Sequence, residues 1–182
     1  LRASSGRVGL IARNTVREAM RQRLTLIFGV LALALVLGVN QVRILNFGTS
    51  ELKFITDFGF GTMAFFGAAL TVTATAQLFF SEIEQRTILT LLAKPVAPAD
   101  FVLGKFLGSV AITGIFCILL TLVLGAVLWW REAALMQEMP GSFGLGNRVD
   151  YVALAGVAVA QWIKLVVLAA WSLLVATFAR SQ

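Results

Sequence analysis

Few residues in this chain could do chemistry. Its 182 residues include no histidine and one cysteine, with 15 Lys and Arg against 9 Asp and Glu. Without histidine there is no Ser/His/Asp relay. No paired carboxylates fall inside the long apolar runs to act as acid and base. Cys117 lies deep in one of those runs, and a lone thiol makes neither an internal disulfide nor a metal cluster, so it reads as packing. Met63, Met136 and Met139 are scattered, whereas soft-metal ligands need clustering. Gly104-Lys105 is not a phosphate loop: Ala99 takes the first glycine position of that motif and Phe106 the Ser/Thr position. No catalytic, cofactor-binding or metal site is expected, and the chain does not read as an enzyme.

What remains is polarity in apolar surroundings. Lys164 interrupts an otherwise uncharged segment, and an intramembrane charge is costly unless it snorkels or pairs. Reckoned from Arg180, it lies about 24 Å along a helix, in the outer part of a hydrocarbon core of about 30 Å. Gln161, one turn earlier, could share a wet cavity with it. Snorkelling or pairing is the simpler reading, substrate contact the alternative. Thr71 and Thr75 sit in a run of small and hydroxylated residues from Gly61 to Ala76. That face either packs closely against other helices or lines a path, and packing is the simpler reading.

The elements that carry these residues follow from hydropathy. The chain is 59% hydrophobic and 13% charged, with a mean hydropathy of +0.89, too apolar to cover a core with polar surface in water. An all-α integral membrane protein is expected, a single transmembrane unit over 1–182. Its net charge of +6 belongs to membrane flanks rather than nucleic acid, because the basic residues crowd beside apolar spans. Four spans are expected, at 24–42, 58–80, 101–130 and 151–179, with connections at 41–57, 81–105 and 131–150. Asp100 is expected to cap the third. Residues 8–23 form an amphipathic helix. Ile11, Ala12, Thr15, Val16 and Ala19 share one face with Val8, and Arg13, Arg17 and Arg21 form a stripe on the other. Such a helix lies in the headgroup layer with its apolar face in acyl chains. Ten of the 15 Lys and Arg fall on the N-terminal, 81–105 and C-terminal side, which places the N-terminus in the cytoplasm. Trp129 and Trp130 then mark the outer interface. No signal peptide precedes the first span, and the chain reads as part of a longer protein.

The 81–105 connection holds the most information. Charged residues open it, an apolar helical patch follows from Thr87 to Leu92, and Pro95 ends the patch. A short helix across a cytoplasmic turn, 82–94, suits docking into a soluble partner. Leu89 and Leu92 would fill a groove, with Glu82, Glu84, Arg86 and Lys94 setting register. The alternative is a surface helix that binds only lipid.

Glu82-Ile83-Glu84, Arg86-Thr87, Leu91-Leu92, Lys94-Pro95-Val96 and Gly104-Lys105-Phe106-Leu107-Gly108, in that order between two spans, resemble the ABC-2 type transporter permeases. The nearest likeness is to NosY-like permeases of multicopper enzyme maturation. The resemblance implies an elbow helix at 8–23 and a coupling helix at 82–94 that includes Thr87. It also implies a cytoplasmic ATPase subunit holding ATP and Mg, a second permease copy, and export across a bacterial inner membrane. Ala97-Pro98 departs from the small polar residue and arginine frequent in the family. Six spans are usual there, so this chain is expected to be a truncated permease. The alternatives are a membrane scaffold that recruits a cytoplasmic partner without transport, and an ion-coupled carrier. The second of these is disfavoured because the spans carry no Asp or Glu.

Overall fold

The computed structural model describes residues 2–42, 50–84, 98–138 and 148–178, among which there is no strand. The described residues form five helices: α1 (Arg2–Arg21), α2 (Arg23–Val42), α3 (Glu51–Glu84), α4 (Pro98–Glu138) and α5 (Tyr151–Phe178). Three stretches, Glu51–Ala76, Val102–Gln137 and Tyr151–Val175, are long and apolar enough to cross a membrane. A fourth crossing depends on α1 and α2 together, which meet at a bend of 69°. The expected four spans thus resolve into three that stand alone and one that does not. The uncharged run 24–42 inside α2 is 19 residues, close to the roughly 20 a crossing needs.

The helices outrun the apolar stretches that announce them. α3 begins at Glu51, inside the expected 41–57 connection, and runs on through Glu84, so Glu82 and Glu84 belong to its last turn rather than to a separate helix. α4 begins at Pro98 and continues to Glu138, well past the expected 101–130. Proline suits a first helical position, where its missing N–H would have no partner anyway. Asp100 is therefore the third residue of α4 and not its cap. Hydropathy marks where lipid is the solvent, and a helix can continue into water beyond that. The starts of α3 and α5 have local causes. The Ser50 carbonyl accepts the Phe54 N–H at 3.0 Å. Asp150 caps α5, its Oδ1 accepting the Val152 and Ala153 N–H groups at 3.0 and 3.1 Å, which satisfies two donors the helix leaves open. α5 ends at Phe178, and the expected final residue 179 lies outside the described residues.

Gln22 makes the bend between α1 and α2. Its N–H donates to the Ala19 carbonyl and its own carbonyl accepts the Leu26 N–H, both at 3.2 Å, so one residue closes α1 and opens α2.

In the bundle, α4 touches every other helix, and α3 packs between α2, α4 and α5. Val36, Ile55, Met63, Leu70, Leu120, Leu124 and Leu128 are fully buried. Glycines set the spacing. A Cβ at Gly59 would stand 2.5 Å from Leu124 Cδ1 on α4, and one at Gly67 would stand 2.7 Å from Leu165 Cδ1 on α5. Outside, large apolar side chains such as Val30, Phe65, Ile118, Leu122 and Trp171 are exposed, the surface of a protein whose solvent is lipid.

The amphipathic α1 departs most from expectation. Its apolar face meets protein, not acyl chains: Thr15 and Ala19 are buried, and α1 makes its most extensive contact with α4. Gly108 permits this, since a Cβ there would fall 2.5 Å from Thr15 Cγ2 and 3.2 Å from the Ala12 carbonyl oxygen. A stripe of small residues on one helix and a glycine on the other let two backbones come close, as small residues do in membranes.

Candidate functional site

The residues expected to meet a partner belong to one end of the bundle. Glu82 and Glu84 close α3, and Pro98 opens α4, at the end where α1 crosses Gly108. Arg86, Thr87, Leu89, Leu92 and Lys94 lie outside the described residues. The Arg13, Arg17 and Arg21 stripe is exposed on α1, opposite the face that packs on α4. One turn before Gly108, Lys105 is 8% exposed and is engaged in the fold. This end thus presents a cationic helix face on α1.

In the apolar middle, Thr71 and Thr75 are buried and their hydroxyls turn back on their own helix. Thr71 Oγ1 donates to the Gly67 carbonyl at 2.6 Å, and Thr75 Oγ1 donates to the Thr71 carbonyl at 2.8 Å. Thr113 and Thr121 of α4 do the same, toward Ser109 at 3.1 Å and Cys117 at 2.7 Å. These hydroxyls need no partner from another helix or from water, which is how hydroxyl side chains are carried through lipid.

Gln161 is half-buried and Lys164 exposed on α5, and among the described residues no hydrogen bond joins either to Thr71 or Thr75. Trp162 Nε1 donates to the Val110 carbonyl of α4 at 3.3 Å. Leu165, next to Lys164, packs where Gly67 of α3 meets Phe116 of α4. Along α4, Phe116 is about 16 Å from Lys105 and about 22 Å from Arg131, so Lys164 stands near mid-height of the bundle.

The opposite end is held by polar pairs that sequence reasoning did not pick out. Arg131 grips Glu51 with two parallel bonds, Nε to Oε1 at 2.5 Å and Nη2 to Oε2 at 3.1 Å, with side chains only 10% and 20% exposed. Beside it the Tyr151 hydroxyl donates to Glu132 Oε2 at 3.0 Å. The first residues of α3 and α5 are thus clamped to consecutive residues of α4. Arg131 and Glu132 are visible in the sequence as a charged step after Trp129-Trp130, but their partners stand 80 and 19 residues away. Trp129 and Trp130 are exposed, as an aromatic belt requires.

Among the described residues, hollows open between helices. An apolar groove of about 390 Å³ separates α4 from α5 and is lined by Gly114, Cys117, Ala158 and Trp162 among others. A cavity of about 280 Å³ lies between the first turns of α3 and α5. Among the described residues, no three His, Cys, Asp or Glu side chains stand close enough to hold a metal ion.

Compared with known protein families, residues 10–182 match the family described as ABC-2 family transporter protein. No curated protein matches the chain.

Proposed function

The chain belongs to the ABC-2 transporter family, an integral membrane permease of the ABC transporters, and from that premise we propose that it couples ATP hydrolysis in a separate cytoplasmic subunit to export of a substrate. The observation that carries the proposal is the reach of the family match, which runs from α1 through α5. In this reading ATP and Mg bind the partner ATPase, and this chain contributes the moving path. The working unit holds two permeases and two ATPases. The order of motifs from Glu82 to Gly108 further favours the NosY-like branch and a bacterial inner membrane.

The geometry suggests how force would travel. The 82–94 segment, seated in a cleft of the ATPase, is strung between α3 and α4, helices of 34 and 41 residues, or about 51 and 61 Å long. Each longer than the hydrocarbon is thick, they act as levers. A displacement at Glu84 or Pro98 reaches the Glu51–Arg131 clamp at the other end without crossing a flexible joint. α1, locked to α4 at Gly108, is the elbow helix and moves with it. By the positive-inside rule, the α1 end faces the cytoplasm.

The proposal is tested by co-purifying the full-length permease with its ATPase in detergent, comparing wild type with Leu89→Asp and Glu84→Arg. Loss of the ATPase from either folded variant is expected, because a buried aspartate or a reversed charge finds no match in the groove. Retention of the ATPase by both variants would make 82–94 a lipid-facing surface helix.

A further inference from the structure

We propose that the cavity between the first turns of α3 and α5 binds an anionic phospholipid, its phosphate between Lys53 and Arg148 and an acyl chain along Phe60 and Val157. The inference is independent of the ATPase. It rests on the order of side chains along the cavity of about 280 Å³, which Lys53, Phe60, Arg148, Asp150, Leu154 and Val157 help to line. α3 and α5 both start at this end and run the same way, so their polarity falls off together. Lys53 and Arg148 stand at the rim and are exposed. Phe60 and Val157 lie about 10–14 Å further in, where the walls are wholly apolar. Asp150 brings the one carboxylate to the lining, and its Oδ1 accepts the Val152 and Ala153 N–H groups, so its charge is taken up by the helix it caps. Among the described residues, neither Lys53 nor Arg148 has an ion-pair partner.

The depth is right for a lipid. The Glu51–Arg131 clamp sets Lys53 near the level of the exposed Trp129 and Trp130, where an interface belongs. A water-soluble anion would gain from the rim but nothing from the apolar floor. A neutral amphiphile would gain from the floor but not from the rim. A phospholipid with a net negative head satisfies both, its charge held by two exposed cations and its chain by the apolar floor.

The test places a bimane probe beside the cavity, by Ala160→Cys in a Cys117→Ala background. Doxyl-labelled phosphatidylglycerol and phosphatidylcholine are then titrated separately into the full-length protein in detergent. Half-quenching is expected at severalfold less phosphatidylglycerol than phosphatidylcholine, since only the former has a net negative head for two exposed cations to hold. The ratio should fall toward one in Lys53→Gln with Arg148→Gln and persist in Lys53→Arg with Arg148→Lys. A starting ratio near one, or one unchanged by the paired glutamines, overturns the proposal. So does an equal fall on Arg13→Gln at the far end, which would assign the preference to overall charge. Recovery of fluorescence on adding millimolar glycerol 3-phosphate would also overturn it, by making this a site for free phosphate.

Discussion

Gly108→Ala should loosen α1 from the bundle. The added carbon would stand 2.5 Å from Thr15 Cγ2, 2.6 Å from Thr15 Cβ and 3.2 Å from the Ala12 carbonyl oxygen, whereas carbons in contact sit at about 3.5–4.0 Å. A side chain tip could swing aside, but a β-carbon and a carbonyl are fixed to the α1 backbone. α1 must therefore retreat by about 1 Å, and overpacking of this kind costs about 1–3 kcal/mol. Alanine returns about 0.5–1 kcal/mol over glycine within a helix, leaving a net loss of up to about 2.5 kcal/mol and about 1.3 kcal/mol at mid-range. For a chain of this size the mid-range loss is a fall of roughly 3–5 °C in Tm. The assay is thermal unfolding in one detergent followed by tryptophan fluorescence, with the rate of tryptic cleavage at Arg13, Arg17 and Arg21 as a local readout. Gly125→Ala is the control, since a Cβ there meets nothing within 4 Å. Adding Thr15→Gly removes both clashing carbons, so the two substitutions should couple by more than about 0.5 kcal/mol. The reasoning fails if Gly108→Ala melts at or above wild type, or if the pair is simply additive.

Other substitutions test the remaining contacts. Glu51→Gln or Arg131→Gln alone should cost about 2–4 kcal/mol, because each removes one half of a mostly buried, bidentate ion pair, and the exchange Glu51→Arg with Arg131→Glu should recover part of it in the same melts. Trp162→Phe keeps the ring but loses the bond to the Val110 carbonyl, and about 0.5–1.5 kcal/mol of stability should go with it. Thr71→Val should stay within about 1 kcal/mol of wild type, since the hydroxyl serves only its own helix. A change in transport without a change in Tm would then mark Thr71 as lining the path.

How much of this could be read in the sequence depended on the range of the interaction. Apolar runs announce α3, α4 and α5 but not how far each helix continues beyond them, because a hydropathy run records contact with lipid and not the extent of a hydrogen-bonded helix. The alternation of small residues and arginines in α1 gave its two faces correctly. That pattern cannot say whether an apolar face meets acyl chains or another helix, and Gly108 decides the matter from across the bundle. Arg131 and Glu51 were each legible only as charges flanking a span, since a pair formed across 80 residues leaves no local pattern. Lys164 is legible as unusual from its charge alone, whereas the packing of its neighbour Leu165 at Gly67 and Phe116 leaves no local pattern.

The most direct measurement is the ATP turnover of the candidate ATPase in lipid nanodiscs, alone, with the full-length permease, and with its Leu89→Asp variant. If the 82–94 segment transmits force between the two subunits, the permease should raise turnover well above that of the ATPase alone, and Leu89→Asp should abolish the increase while the permease remains folded. Equal turnover in all three preparations would contradict the account.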